Sequence, residues 1–271
     1  MFIRNVLALC IGLAFVFQAG ADESIVRKNF QSRFPGMKIE SIVRTPFPGL
    51  YEVVFDGQVV YTDEKLAYLM NGNLFDLRTT QERNLTQERR DQMATGALAS
   101  AQGNAVKRVR GNGKRVVYTF EDPNCGYCRE LHKELNKMTD VTVYIFLLPI
   151  LSPDSVEKSK AIWCAKDRSR TWDDLMNKAA LPANAAKNCT TPLEENAALA
   201  KRFGVRGTPA IYLANGQQIG GFLPADKIEQ AIADVLASGL RTADIRGDAA
   251  TTVSTTEMGE AVLAQLRKAM A

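Results

Sequence analysis

Cys125 and Cys128 stand three residues apart in the run Phe120-Glu121-Asp122-Pro123-Asn124-Cys125-Gly126-Tyr127-Cys128. Two thiols at that spacing can pass between dithiol and disulfide, and so exchange two electrons with another disulfide. What they do depends on where the chain puts them. Residues 115–119 are a short β-rich run that reads as a strand. Residues 129–138 carry helix formers with apolar side chains at helical spacing. Asp122, Pro123 and Asn124 between them are boundary residues. Cys125 therefore falls where a strand gives way to a helix. The unpaired N–H groups and the positive end of the macrodipole there stabilise a thiolate and lower its pKa. Cys128 lies one turn further in, on the same face, within disulfide reach and less exposed. Cys125 is thus the candidate attacking thiol and Cys128 the resolving one, and a C-x-x-C beside a βα unit is a redox signature.

Half of a zinc site and a static disulfide are the other uses of such a pair. Zinc takes four ligands, and the one histidine of the chain is His132, seven residues after Cys125 and four after Cys128. No further Cys or His is close in sequence. His132 reads as an ordinary, partly exposed helix residue, and no metal is expected.

Residues 1–21 read as a secretory signal: Arg4 ahead of an apolar run over 6–17, then Ala19-Gly20-Ala21 as a small-residue cleavage site. The run is short for a membrane span. Cys10 sits inside it and is expected to leave with the signal. Loss of Arg4 lowers the formal net charge of +4 by one. With 34 basic and 30 acidic side chains the excess of base is small. The cluster Lys107-Arg108-Val109-Arg110 with Lys114-Arg115 reads as a solvated approach to a strand, so nucleic-acid binding is not expected. Four cysteines then remain: 125, 128, 164 and 189. Export makes disulfides chemically permissible, and the even count fits one catalytic and one structural pair.

The rest of the chain falls into parts. Residues 22–33 read as a short helix, followed by strands over 38–44, 50–55, 58–62, 66–70 and 74–77. Asp56-Gly57 and Asn71-Gly72-Asn73 are hairpin signals. This helix with a small antiparallel sheet, residues 22–80, is marginal alone and suits burial by association. Residues 81–103 read as a linker, helical from about residue 85. A second domain, 104–240, begins near Asn104. Its run over 141–148 is continuously apolar and suits a central strand covered on both faces. Residues 153–203 are helical in character, 210–213 and 218–221 form a hairpin about Asn215-Gly216, and 224–236 reads as a final helix. The order β, C-x-x-C helix, β, helices, β, β, helix is that of the thioredoxin fold with a helical insertion. The fold class is α+β. Cys164 and Cys189 both fall in the insertion. A bridge between them would close a loop of about 26 residues and stabilise by roughly 3.5 kcal/mol in the chain-entropy model; the alternative is two buried free thiols. Residues 241–271 follow the complete domain as an extension with no function read from sequence, either a docked helix or a mobile tail.

With these residues in view, the chain resembles the DsbC family of periplasmic thiol:disulfide isomerases over roughly residues 22–240. The similar segments are Phe120 through Cys128, Ala161-Ile162-Trp163-Cys164-Ala165-Lys166-Asp167 around the family's first structural cysteine, and Gly204-Val205-Arg206-Gly207-Thr208-Pro209-Ala210, the loop of its cis-proline. The resemblance implies a small cystatin-like N-terminal dimerisation domain, a linker helix, a thioredoxin-like catalytic domain and a V-shaped homodimer in the periplasm. It implies misfolded, disulfide-containing exported proteins as substrates, a membrane reductant of the DsbD type, and no cofactor. Gly126 stands where the related DsbG branch typically has proline, which favours the isomerase branch. Arg129 after the second cysteine, the C-terminal extension and the 164-to-189 spacing depart from the family pattern.

The implied chemistry is attack by Cys125 on a wrong disulfide, then release by a substrate thiol or by Cys128. Thr208 and Pro209 should lie against Cys125 and, with Tyr127, meet the substrate strand. Thr119 occupies the position where thioredoxins place a buried acid. Glu121 or Asp122 could take its part, but both read as solvated acids at a strand end. The competing readings are a narrow-substrate thiol reductase or oxidase of the DsbG kind, and a holdase chaperone with secondary redox activity.

Overall fold

The computed structural model describes residues 14–78, 82–178, 181, 189–222, and a scatter of positions from 224 to 265. The first thirteen residues of the expected signal lie outside that set, as does much of the expected helix at 224–236 and of the extension at 241–271. Among the described residues no helix is long and apolar enough to cross a membrane. The chain divides into two compact units, Met1–Arg90 and Asp91–Ala271.

In the first unit, helix α1 (Ala14–Arg33) begins earlier than residue 22, where the sequence had suggested a start. Val26 and Phe30 on its buried stripe pack onto a sheet of order β1-β2-β3-β4, formed by Ile39–Arg44, Tyr51–Phe55, Gln58–Thr62 and Leu69–Met70. The β2–β3 hairpin turns on Asp56 and Gly57, with φ of 46° and 76°. Two consecutive positive φ values define the type I′ turn that Asp-Gly favours. β2 is buried along its whole length. Its second face carries Glu52, which accepts a hydrogen bond from Arg89. The hairpin expected about residues 71–73 does not form. β4 pairs instead with β3, while β5 (Phe75–Asp76) pairs with β6 (Arg83–Asn84). Once the Thr62 hydroxyl fixes the Tyr68 carbonyl, residues 69–70 are steered to the β3 edge, and that pairing outweighs the turn propensity of Asn71-Gly72.

Helix α2 (Leu85–Ser100) contains the point of division, and a 3-10 turn at Gln102–Asn104 follows it. The second unit is built on a sheet of order β10-β8-β9-β7, from Ala210–Leu213, Arg115–Glu121, Val141–Leu147 and Val106–Arg110. β8 and β9 run parallel, and the outer strands are antiparallel to them. Parallel strands need a crossover, and α3 (Gly126–Lys137) supplies it. The continuous apolar run at 141–147 is explained by cover on both sides. One side packs Leu131 and Leu135 of α3, Ile162 and Trp163 of α4 (Pro153–Cys164) and Trp172 of α5 (Arg168–Lys178). The other packs Ala94 and Leu98 of α2 and Ala200 of α6 (Leu193–Arg202).

Cys164 and Cys189 are joined in a disulfide across the insertion. Trp163 braces the same region: its indole N–H donates to the Thr190 carbonyl at 3.1 Å, and the Arg168 guanidinium stacks 3.6 Å over its ring. The short strands β11 (Leu240–Arg241) and β12 (Thr251–Thr252) pair in parallel. Further on, Val262 packs against the α3-side core, and Gly259 comes so close to Gln217 that a Cβ would meet its Oε1 at 2.3 Å. At these points the C-terminal extension is docked on the second unit.

Candidate active site

β8 ends at Glu121 and α3 begins at Gly126, so Asp122, Pro123, Asn124 and Cys125 form the turn between them. Asp122 organises that turn. One carboxylate oxygen accepts the Asn124 N–H at 2.8 Å and the Ser155 hydroxyl at 2.7 Å. The other accepts the N–H groups of Ile150 and Leu151 at 2.8 and 2.9 Å. The side chain is fully buried. Asn124 extends the tie to the start of α4 through Ser152, Asp154 and Ser155.

Cys125 is the N-cap of α3, and its sulfur accepts the Cys128 N–H at 3.3 Å. In the thiol form the sulfur donates to the Thr208 carbonyl, 3.2 Å away. The Thr208–Pro209 peptide bond is cis. Of the expected site residues, Thr208 touches Cys125, Pro209 follows Thr208 in the chain, and Tyr127, two residues after Cys125, is 67 % exposed. Tyr127 lies 6.3 Å, ring to ring, from Phe222. Ile150 and Leu151, held by Asp122, are exposed apolar side chains. Cys164 and Cys189 belong to the insertion and are not part of this group.

The two thiols are electrostatically unlike. Cys125 has its pKa pulled down to about 6, chiefly by the hydrogen bond from the Cys128 thiol, and further by Thr208 and the N–H groups of Cys128 and Tyr127, against the opposing effect of burial. Cys128 is fully buried. Burial first, then its hydrogen bond to Cys125 and the charge of Glu121, drive its pKa far up. One sulfur is a ready nucleophile at neutral pH, and the other is an inert thiol until something removes its proton. Alkylation of the reduced protein by iodoacetamide should therefore label Cys125 alone, with a rate that rises with pH and levels off above a midpoint near 6. At pH 7 about nine-tenths of Cys125 would be thiolate, against a few per cent for an ordinary cysteine. A midpoint above 8, measured by mass spectrometry of the labelled peptide, would contradict this electrostatic picture.

Three sequence expectations are corrected here. Glu121 and Asp122 are not solvated; they are 1 % and 0 % exposed. Glu121 is the last residue of the central strand β8, and burial raises its carboxyl pKa to about 7. His132 is buried as well, and burial together with Arg108 lowers its pKa to about 4, so it is neutral. The missed signal was Arg108. A buried arginine on β7 fixes where acids can go, and the sequence showed it only as part of a basic run. Arg108 pairs with Asp173 at 2.6 Å and donates to Asn136 at 2.8 Å. Among the described residues, no group of three or more His, Cys, Asp or Glu side chains is arranged to hold a metal ion.

Comparison with known proteins places this geometry. A family model described as a disulfide bond isomerase protein N-terminal domain matches residues 17–87, and a thioredoxin-like domain model matches 102–236. A probable thiol:disulfide interchange protein DsbC of Bordetella parapertussis is 43 % identical over 205 residues, covering 75 % of this chain and 72 % of that protein. The chain belongs to the DsbC family of thiol:disulfide interchange proteins. The DsbC of Escherichia coli is 28 % identical over 222 residues, covering 80 % of this chain and 90 % of its own. A solved disulfide interchange protein from Neisseria gonorrhoeae aligns with 49 % of this chain and 96 % of its own, at 41 % identity and a TM-score of 0.46. DsbC-family enzymes exchange thiols for disulfides on a thioredoxin-like domain, and the second unit of this chain has that architecture.

Proposed function

We propose that Cys125 and Cys128 work from the reduced state to isomerise and reduce incorrect disulfides in exported proteins. The observation that carries this is the division between the two sulfurs: an N-cap sulfur at Cys125 that accepts the Cys128 N–H, and a fully buried thiol at Cys128. Cys125 attacks a substrate disulfide and forms a mixed disulfide. Either another substrate thiol displaces Cys125, which reshuffles the substrate, or Cys128 displaces the substrate, which reduces it. Thr208, next to Cys125, and Tyr127 would receive the substrate backbone, and Cys164–Cys189 would serve as the structural disulfide. The expected signal at 1–21, with cleavage near Ala21, supports a periplasmic location, where a DsbD-type membrane reductant would restore the dithiol.

The N-terminal unit supports a homodimer. Tyr68, Leu69, Met70, Phe75 and Leu77 are all exposed there, and β4 is a two-residue edge strand. A groove of about 440 Å³ runs between Phe47, Pro48, Phe75 and Leu77. Apolar surface of this kind on so small a unit calls for a partner. The decisive assay is refolding of a scrambled-disulfide protein by the pre-reduced enzyme, with its mass measured by light scattering in the same buffer. Recovery of native disulfides by a dimer is the expected result. A monomer that only reduces would favour the narrow-substrate reductase.

A further inference from the structure

We propose that Glu121 takes up the proton of Cys128 when Cys128 resolves the mixed disulfide, with Arg108 as the positioning residue that sets the charge of Glu121. This deepens the proposed function and rests on it. The problem it solves is geometric. Cys128 is buried without solvent contact, yet it must lose a proton to attack Cys125. A proton acceptor must therefore lie inside the protein.

Glu121 is placed for this. It is the last residue of β8, four before Cys125, and is buried. Thr119, at the position where a buried acid was missing from the sequence, donates its hydroxyl to Glu121 Oε1 at 2.7 Å. Oε2 is buried and has no hydrogen-bond partner in the protein. A buried carboxylate oxygen left unpaired is costly, and here that oxygen is free to accept. Each group acts on the other: the Cys128 side chain favours the ionised form of Glu121, and the charge of Glu121 opposes ionisation of Cys128.

Besides Thr119, the groups that act on Glu121 are Arg108 from β7 and Cys125, by charge, and the neutral Cys128 side chain. Behind Arg108 stand Asp173 of α5, in contact with it, and neutral His132 of α3, whose Nε2 is 3.8 Å from the same Asp173 oxygen. His132 Nδ1 and Nε2 are also buried without hydrogen-bond partners. Asp173 is 37 % exposed at its side chain, so this row of polar groups reaches from solvent toward the buried carboxyl.

The step balances as follows. With substrate sulfur bonded to Cys125, the Cys128 thiol proton passes to the Glu121 carboxylate. The Cys128 thiolate attacks Cys125 Sγ, the 125–128 disulfide forms, and the substrate leaves as thiolate carrying the electron pair. The two cysteines are oxidised and the substrate sulfur is reduced. When the 125–128 disulfide is later reduced, Glu121 returns the proton to Cys128.

The test follows resolution of a mixed disulfide between Cys125 and glutathione, by rapid acid quench across pH 5 to 10. In the native protein the rate should rise through one ionisation near neutrality and then level. Glu121→Gln should slow it roughly a hundredfold at pH 7, the lower end of what a positioned base contributes, and the rate should then keep climbing with pH. Glu121→Asp should recover part of the rate and the plateau. Arg108→Gln should move the midpoint upward, because its positive charge holds the Glu121 carboxyl down, and Arg108→Lys should move it back. Equal rates and pH profiles in native protein and Glu121→Gln overturn the inference. If the native protein captures no glutathione at all, the proposed function itself fails instead. Should Glu121→Gln not fold, carbon-13 carboxyl NMR of the native dithiol protein decides: a glutamate titrating near neutrality supports the role, and none above pH 5.5 overturns it.

Discussion

Replacing Cys125 with serine is expected to bring both disulfide reduction and isomerisation down to the uncatalysed background. No compensation is available. Of the cysteines outside the expected signal, 164 and 189 are bonded to each other, and Cys128 is wholly buried. A buried thiol whose pKa is driven up supplies no nucleophile to an outside disulfide. Cys128→Ser should behave differently. Cys125 keeps its N-cap position and the backbone N–H of residue 128, though it loses the hydrogen bond from the thiol, which is the largest contribution to its low pKa. Serine can replace that bond in part. Attack on substrate then continues, but reduction stops because no sulfur remains to displace the substrate internally. Isomerisation survives at a reduced level, since a substrate thiol can release Cys125. Long-lived mixed disulfides should accumulate and be visible on non-reducing gels. An oxidase must pass through the 125–128 bond at every turnover, so residual reshuffling by Cys128→Ser separates the two activities. If that variant is as inert as Cys125→Ser and no mixed disulfide can be trapped, isomerisation by this pair is ruled out.

The fold of the second unit was legible because its signals are local and agree with one another. A β-branched run at 141–147, boundary residues at 122–124 and helix formers after Cys128 each point to one arrangement, and the parallel β8–β9 pair with α3 between them follows. The Asp56-Gly57 turn was legible for the same reason. What escaped the sequence depends on contacts between distant residues. Asn71-Gly72 carries a strong turn propensity, yet pairing of residues 69–70 with β3 decides the outcome. At the site, the nucleophile could be read from its place at a helix start, but the burial of Glu121, Asp122 and His132 could not. An acid at a strand end is normally solvated. It becomes buried here only because residues 148–155 fold back over the turn and Arg108 reaches in from β7. Those partners are separated from the acids by 13 to 33 residues of chain, so no spacing rule reveals them.

Asp122→Ala is expected to cost about 4 kcal/mol of stability, as large as the loss of a buried aromatic side chain. The carboxylate satisfies four donors at once: the backbone N–H groups of Asn124, Ile150 and Leu151 and the Ser155 hydroxyl. Each donor stranded in a dry site costs about 1–3 kcal/mol, and water entering the vacated space offsets part of the sum. Asp122→Asn should cost less, because one acceptor oxygen remains, but its amide group would face N–H donors in place of an acceptor. The same bonds tie the active-site turn to the segment bearing Ile150 and Leu151. Their loss should also loosen Cys125 from its N-cap geometry, slow its alkylation at pH 7, and raise the midpoint of its pH profile toward that of a free thiol. Urea denaturation of the oxidised protein measures the first effect and the labelling rate the second. A change in stability below about 1 kcal/mol would show that the turn is held by Cys125 and Asn124 without Asp122. In that case the exposed apolar pair at 150–151 would be positioned independently of the thiol it flanks.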